Sequence, residues 1–296
     1  MKMSPSIALN ELQIEEIKKL VGEQRQVLGF IGETPIGHDI FTILEKKNII
    51  LLEYPVKSED GTPSFSAALM YSEEEAKELI FIGLNTADYF DKQIFAVAHE
   101  LYHFFTKTGS HLSRLDEEEH NLIEAMANRF AAEFLLAENV LKSLVLNEFK
   151  TNSLFDIQFN PLLRFIARLH CTWWLPYRSL VKRLKEIDAI SEQQYEALYG
   201  INERDMNGFY GRIGQATNLE VFSKLNTISN NIGTSAKDVE VIIRNYEDNI
   251  INEDEFLDAI SLFNKRPEDF GYELNISEED INEMKAFFNK EVDDEG

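Results

Sequence analysis

The spacing of hydrophobic and polar residues predicts two helices followed by a small sheet in the first third of the chain. Apolar side chains recur at helical intervals over residues 7–29 and again over residues 35–46. Three strand segments are predicted next, at residues 47–56, 64–71 and 79–84. Helices beside a small sheet predict an α+β fold.

A strongly apolar helix is predicted directly after the third strand. Thr86 or Asp88 is placed to cap its N-terminus. Apolar residues recur along it at helical spacing, namely Phe90, Ile94, Val97, Leu101, Phe104 and Phe105. We therefore expect a largely buried helix, in which any polar side chain needs a partner.

The same helix carries the sequence His99-Glu100-Leu-Tyr-His103. Two histidines four residues apart lie on one helical face, so both imidazoles can bind a single metal ion. A bound zinc ion lowers the pKa of a water ligand to roughly 7, and Glu100 is placed to accept the proton as the water attacks a peptide carbonyl. The pattern predicts metalloprotease chemistry. The alternative is that both histidines are hydrogen-bonded core residues.

A catalytic zinc site of this kind needs a third protein ligand and leaves the fourth position to water. The metzincin pattern is excluded because it requires Gly at position 106 and His at position 109, where the chain has Thr106 and Gly109. A second helix is predicted to begin at Glu124, whose carboxylate can reach the metal, while Asn128 one turn later can hydrogen-bond a ligand. We predict Glu124 as the third ligand. The other candidates are His111, His120, which shares a helical face with Glu124, and the acidic residues 116–119.

The motif HELYH followed by EAMANRFAAEFLL resembles the ImmA/IrrE family of metallopeptidases, over roughly residues 30–200. The resemblance implies a gluzincin-like catalytic domain that holds one Zn²⁺ ion through His99, His103 and Glu124, with Glu100 as the catalytic base. It also implies that the substrate is a protein, a helix-turn-helix repressor or antitoxin encoded nearby, whose cleavage switches on genes for stress response or for mobile elements.

The charge balance of the chain is strongly acidic. With 52 acidic and 29 basic residues the formal net charge is −23, which disfavours nonspecific binding to DNA or to an anionic membrane. We expect no signal peptide and no membrane span, because no apolar stretch is long enough. Cys171 is the only cysteine, which agrees with a cytoplasmic protein that has no internal disulfide.

The chain is predicted to divide into a zinc peptidase domain at residues 1–155, a helical hairpin at residues 156–200 and an acidic helical region at residues 201–296. Between residues 157 and 185 there are six basic residues and no acidic one, namely Arg164, Arg168, Arg178, Lys182, Arg183 and Lys185. This hairpin can place its second helix in the DNA major groove, or it can pack on the catalytic domain. We favour packing because the surrounding chain is so acidic.

The last region, residues 201–296, contains 22 acidic and 9 basic residues. Short helices are predicted there at residues 239–246, 256–263 and 281–288. The segment at residues 249–256 lacks the glycine and the oxygen spacing of a calcium loop, so we predict an acidic helix start. The region can bind a basic partner, regulate the peptidase, or be a solvated helical extension.

The main hypothesis from the sequence is a zinc endopeptidase that cleaves a specific protein. The alternative is a non-catalytic DNA-binding or partner-binding regulator with a structural metal site, such as an antitoxin-like protein whose acidic region sequesters a basic toxin. A structural metal site does not require a general base, so Glu100 favours the enzyme.

Overall fold

The computed structural model describes residues 8–74, 77–108 and 117–272. The strands are β1 (Ile49–Tyr54), β2 (Ala67–Glu74), β3 (Lys77–Asn85) and β4 (Gly233–Thr234), and short 3-10 helices lie at Gly37–Asp39 and Pro267–Phe270. The α-helices are α1 (Glu11–Leu28), α2 (Ile40–Lys46), α3 (Phe90–Thr106), α4 (Glu117–Leu135), α5 (Glu138–Phe149), α6 (Phe159–Trp173), α7 (Tyr177–Glu186), α8 (Glu192–Tyr199), α9 (Phe209–Thr217), α10 (Leu219–Leu225), α11 (Ala236–Glu247) and α12 (Glu253–Ser261). The predicted α+β fold with mainly helical C-terminal regions is confirmed.

The four strands form one sheet in the order β2-β3-β1-β4. Strands β1 and β3 are parallel, whereas β2 pairs with β3 and β4 pairs with β1 in antiparallel fashion. The structure places β3 inside the sheet and β2 at its edge.

One face of the sheet packs against the helices. Ile49 and Leu51 of β1 are buried and alternate with half-buried positions. They lie in register with Ile80 and Ile82 of β3, so these side chains share the inner face. Helix α3 packs on β2 and β3, and α2 packs on β1. Helix α3, which carries His99 and His103, is therefore held directly against the inner face of the sheet.

Helices α3 and α4 pack side by side through apolar and aromatic side chains. Phe130 of α4 is fully buried and contacts the rings of Tyr102 and Phe105 on α3. Ala127 and Ala131, also fully buried, let the two backbones approach. This packing sets the position of the α4 residues that face α3.

The helix ends differ from two expectations. Neither Thr86 nor Asp88 caps α3, whose N-cap is Tyr89 with no side-chain hydrogen bond. Instead the Phe90 N–H donates to the Thr227 carbonyl at 2.9 Å, so a distant segment of the chain satisfies a free group of the first turn.

Helix α4 begins at Glu117, which puts Glu124 inside the helix rather than at its predicted start. Glu117, Glu118 and Glu119 form its first turn.

The hairpin of α6 and α7 packs into the apolar core, as nine residues of α6 and five of α7 are buried. Several of the basic side chains that suggested DNA binding are engaged in ion pairs. Arg183 is buried and contacts Glu133 at 2.6 Å and Glu186 at 2.8 Å. Arg178 pairs with Glu203 at 3.1 Å, and further along α7 Lys185 pairs with Glu192 at 2.9 Å.

The chain separates into two compact units, residues 1–235 and 236–296. In the second unit Tyr246 stacks on Phe256 with ring centroids 4.3 Å apart, and Asn252 caps α12 through a capping box with Glu255. The predicted acidic helix start is thus confirmed, whereas the predicted helix at residues 281–288 lies outside the described residues. Both predicted domain boundaries fall within the first unit, and the three-part division stays a prediction. Among the described helices, none is long and apolar enough to cross a membrane.

A buried polar cluster fixes the N-terminal end of α3. The Asp91 carboxylate, fully buried, accepts hydrogen bonds from Arg204 at 2.9 and 3.0 Å and contacts His170 Nε2 at 3.1 Å. His170 Nδ1 in turn lies 3.2 Å from the Tyr210 hydroxyl. Burial raises the pKa of Asp91, but the hydrogen bond and charge of His170 and the charge of Arg204 outweigh it and lower the pKa. The cluster ties α3 to α6, to α9 and to the segment before α9.

We predict that Asp91→Ala lowers the free energy of unfolding by about 3–5 kcal/mol at neutral pH, because it leaves a buried guanidinium without its carboxylate. The pKa of Asp91 is lower in the folded than in the unfolded chain. The stabilisation is therefore fully present above the unfolded pKa of about 4 and is lost as the pH falls through the folded pKa. Urea unfolding of both proteins should show their difference shrinking as the pH falls below about 4.

Glu23→Ala serves as the matched control, since Glu23 forms an exposed pair with Lys19 at 4.0 Å on α1. Its loss should cost less than about 1 kcal/mol at any pH. Equal destabilisation by the two substitutions would contradict the assigned role of Asp91.

Candidate metal and active site

The metal-motif residues lie on the side of α3 that faces a cleft. Ile94, Val97 and Leu101 are fully buried against the core, which leaves the other face of the helix to His99 and His103. Glu124 lies opposite on α4, held there by the packing of the two helices. The structure thus brings together the three residues that the sequence singled out as metal ligands.

Three ligand atoms of this cluster converge on one point. The Nε2 atoms of His99 and His103 are 3.2 Å apart. The Glu124 carboxylate lies 3.2 Å from His99 Nε2 through Oε2 and 3.5 Å from His103 Nε2 through Oε1. These residues can hold a metal ion, since all three offer an atom within 4.8 Å of the others.

The separations match those expected around a metal ion. Nitrogen and oxygen ligands at about 2.0–2.2 Å from a tetrahedral zinc ion lie roughly 3.3–3.6 Å from each other. The observed distances of 3.2 to 3.5 Å are close to the edges of such a tetrahedron. The donor set, two imidazoles and one carboxylate, therefore fits a divalent metal in both chemistry and spacing.

Hydrogen bonds on the far side of His103 determine which of its nitrogens carries a proton. The Thr106 hydroxyl donates to the Tyr102 carbonyl at 2.7 Å, so in its 2.9 Å contact with Thr108 it must accept. The Thr108 hydroxyl therefore donates to Thr106 and accepts from His103 Nδ1, which is 3.1 Å away. A neutral His103 then has its proton on Nδ1 and its lone pair on Nε2, toward the cluster.

His99 is oriented in the same way from α4. Its Nδ1 lies 3.2 Å from the Asn128 side-chain oxygen, which accepts the Nδ1 proton and leaves the Nε2 lone pair facing the other ligands. The contact predicted for Asn128 is therefore present. With these tautomers two nitrogen lone pairs and a carboxylate face one another, an arrangement that a bound cation, or protonation of the imidazoles, would stabilise.

The pKa shifts of His99 and Glu124 show the same preference for positive charge beside the carboxylate. Burial lowers the pKa of His99, but the hydrogen bond to Glu124 and the charges of Glu100 and Glu124 raise it above its usual value. Hydrogen bonds with His103 and His99 hold the pKa of the Glu124 carboxyl well below its usual range. Both shifts favour a carboxylate with a cation beside it.

Glu100 lies in the same cleft but outside the ligand triad. Its side chain is buried, and its Oε2 accepts a hydrogen bond from the Leu69 N–H of strand β2 at 2.9 Å. Burial raises the pKa of Glu100, against the opposing effect of the two nearby histidines. The helix therefore supplies the carboxylate, and the edge strand fixes its orientation.

The cleft has a volume of about 510 Å³ and runs between α3, α4 and the edge of β2. Ser66, Ala67 and Leu69 form the strand wall, and Lys92 and Phe95 extend the wall of α3 beyond His99. β2, an edge strand of the sheet, therefore borders the cleft beside the ligand triad.

His120 and His111 are the other histidines considered as the third metal ligand. Among the described residues His120 is not part of the metal-binding cluster, although it shares α4 with Glu124. Tyr102, between the two histidines on α3, is buried and its hydroxyl donates to Met126 Sδ at 3.6 Å, so it packs against α4. His111 lies outside the described residues.

The sequence analysis did not predict that Thr106 and Thr108 orient His103, or that the Leu69 N–H donates to Glu100. Thr106 appeared only as the residue that excludes a metzincin site, and nothing in the pattern connected Thr108 to His103. Lys107 adopts a left-handed conformation with φ of 56°, which ends α3 and turns Thr108 back toward His103. A lysine at position 107 does not predict that turn, since glycine is the usual residue in a left-handed conformation.

Part of the chain matches a known protein family. Residues 55–167 match the model of the peptidase family M78, described as the IrrE N-terminal-like domain. The matched part includes β2, β3, α3 and α4, and so all four residues of the candidate site. No curated protein matches the chain.

We predict that Glu124→Ala weakens metal binding by about 10-fold or more, since a ligand matters at least as much as the residues that orient ligands. His99→Ala and His103→Ala should each remove the metal. His120→Ala is the control on the same helix and should bind metal as the wild type does. Competition titration with a chromophoric chelator would measure these affinities, and a larger loss for His120→Ala than for Glu124→Ala would contradict the assignment.

We also predict that Thr108→Val weakens metal binding by about 10-fold, because valine cannot accept the Nδ1 proton of His103 and no longer fixes its tautomer. Thr108→Ser keeps the hydroxyl and should restore the affinity. A purely structural role would instead lower the melting temperature of both variants and leave their metal affinities unchanged. Thermal unfolding and the chelator titration, run side by side, separate the two cases.

Proposed function

We propose that the chain is a zinc-dependent endopeptidase of gluzincin type, and the match of residues 55–167 to the IrrE N-terminal-like domain of the M78 peptidases supports this. One observation carries the proposal. The Nε2 atoms of His99 and His103 and the carboxylate of Glu124 converge within 3.2 to 3.5 Å, with both imidazoles oriented by hydrogen bonds to their Nδ1 atoms. A zinc ion held by these residues would polarise a peptide carbonyl and acidify a water molecule.

Glu100 is the proposed general base. It follows His99 directly in the motif, so its carboxylate shares the cleft with the ligand triad. The hydrogen bond from the Leu69 N–H leaves the second carboxylate oxygen to accept a proton from the attacking water. Burial raises the pKa of Glu100, which makes its carboxylate a stronger base.

The edge of β2 supports an extended polypeptide as the substrate. The Ser66 carbonyl and the Leu69 N–H point to opposite sides of the strand, the first toward β3 and the second toward the cleft. By the alternation of a β-strand, Ala67 and Tyr71 direct their backbone groups to the same side as Leu69. A substrate segment can pair with this edge and so pass its peptide bonds over the metal ligands.

We further propose that the substrate is a helix-turn-helix repressor or antitoxin encoded nearby, and that its site-specific cleavage switches on gene expression. The support is the resemblance of the two motifs to the ImmA/IrrE metallopeptidases. The alternative, a non-catalytic DNA-binding or partner-binding regulator, is less well supported. Arg178, Arg183 and Lys185 of the hairpin are held in ion pairs, which reduces the basic surface that could meet DNA.

We predict that Glu100→Gln lowers cleavage by about 10² or more, because the amide keeps the size of the side chain but cannot accept a proton. Wild type and variant would be co-expressed with the repressor or antitoxin encoded nearby, and fragments followed by mass spectrometry. Glu220→Gln, an exposed change of the same kind on α10, is the control and should cleave normally.

Discrete fragments with wild type and with Glu220→Gln, but not with Glu100→Gln, support a site-specific peptidase. Equal fragmentation by all three proteins would show that Glu100 is not the base. Stable binding of the partner without cleavage by any of them would favour the regulator instead.

A further inference from the structure

The outer face of the sheet, on the side away from α2 and α3, is apolar. Strand β1 contains an apolar run at residues 49–52 and β3 contains another at residues 79–84, so apolar side chains alternate onto both faces of the sheet. A sheet with one face in water normally has polar residues on that face, whereas strands that are covered on both sides have continuous apolar runs. These strands therefore have the sequence of a sheet with a layer on each side.

Six residues form this outer face in two rows across the strands, namely Met70, Phe81 and Ile50 in one row and Ala68, Gly83 and Leu52 in the next. Gly83 has no side chain, and the Met70 methyl group lies 3.3 Å from where its Cβ atom would be. The Met70 side chain therefore lies across the centre of the face.

The large side chains of the outer face are accessible. Met70 is 43% exposed, and Ile50, Leu52 and Phe81 are half-buried by their neighbours in the sheet. Among the described residues, these four belong neither to the apolar core nor to the side chains that pack against it. Helices α2 and α3 pack on the sheet from the inner side. The outer face is thus an apolar surface whose burial by a partner would be favourable.

The size of the outer face fits one helix better than a second copy of the chain. Three strands about 4.8 Å apart and five residues of about 3.3 Å each span roughly 14 by 17 Å, or about 240 Å². Each partner of a stable dimer buries about 800 Å². A single helix is about 10–12 Å across, so one side of it is enough to cover the face.

The outer face adjoins the cleft that contains the candidate metal ligands. Ala68 belongs to both, since it lines the cleft and lies in the second row of the outer face. Strand β2 therefore borders the metal ligands with its edge and carries Met70 on its outer side. A polypeptide that pairs with this edge can continue onto the outer face through a short connection.

We propose that the outer face docks an amphipathic helix of the protein substrate, next to the segment that enters the cleft. This inference rests on the proposed peptidase function and adds a second contact through which one protein is selected. Apolar side chains of the helix would cover the two rows. The net charge of −23 favours a helix whose solvent side is basic. A short peptide without the helix would reach the metal but not this face.

The test compares an intact protein with a short peptide. The full-length, metal-loaded chain is given the repressor or antitoxin encoded nearby and, separately, a peptide that spans the bond at which that protein is cut. Met70→Lys should raise KM for the intact protein by about tenfold or more, because a charge at the centre of an apolar contact would lose its hydration. Its kcat for the protein and its cleavage of the peptide should equal those of the wild type.

Further variants separate docking from folding. Met70→Leu keeps the face apolar and should behave as the wild type does, whereas Phe81→Thr removes apolar surface from the same row and should act as Met70→Lys does. Val27→Lys is the control, since it adds the same charge at a position of α1 that is 71% exposed. Metal content and melting temperature show that each variant is folded. Binding of the uncleaved protein is measured by isothermal titration in the Glu100→Gln background.

Three results would overturn the proposal. Wild-type kinetics of Met70→Lys on the intact protein would show that the face makes no contact, and the peptidase assignment would stand. An equal loss on protein and peptide would place the effect in the cleft. A dimer in sedimentation velocity that Met70→Lys disrupts would show that a second copy covers the face.

A failure of the peptidase function itself would be distinguishable. In that case the wild type would cleave neither the protein nor the peptide. Binding of the intact protein that Met70→Lys removes would still support the docking face, and binding that Met70→Lys leaves unchanged, or no binding, would overturn it.

Discussion

Helix α3 is packed between the inner face of the sheet and α4, so each polar side chain that it buries needs a partner from another part of the chain. At its N-terminal end the partners of Asp91 are Arg204 and His170. At its C-terminal end the partner of His103 is Thr108, which follows a left-handed residue. Between them Glu100 is held by the backbone of β2. The position of the candidate site depends on these contacts.

Each end of α3 has a cluster of buried polar groups, and the two clusters balance their charges differently. The N-terminal cluster is complete, because opposite charges meet inside it and no further ion is needed. At the C-terminal end both imidazoles can direct a lone pair toward a carboxylate. A divalent cation would balance that arrangement. The first cluster therefore stabilises the helix, and the second is suited to bind a metal.

The edge and the inner face of the sheet border different cavities. At the edge, β2 supplies the hydrogen bond to Glu100 and free backbone groups beside the cleft. On the inner face, β1 carries Glu53 into a cavity on the other side of the first turn of α3. Both features follow from the strand order, since β2 has an unpaired side and β1 is covered by α2. A small sheet can thus border two separate cavities.

The sequence alone determined the elements whose cause is local. Apolar spacing predicted the helices and strands of the first 105 residues closely, and the four-residue separation of His99 and His103 put both on one helical face because a helix repeats every 3.6 residues. The motif also placed Glu100 beside them. The choice of Glu124 over His120 came from the sequence as well, and the cluster contains Glu124.

Tertiary structure decided the features that depend on residues far apart in the chain. Which strand lies at the sheet edge, and so which one holds Glu100, follows from the pairing of β3 with both neighbours. The Thr227 carbonyl replaces a local cap because a segment about 140 residues away crosses the start of α3. Thr108 orients His103 only because Lys107 turns the chain back. No local pattern encodes these contacts, since packing rather than residue propensity brings their partners together.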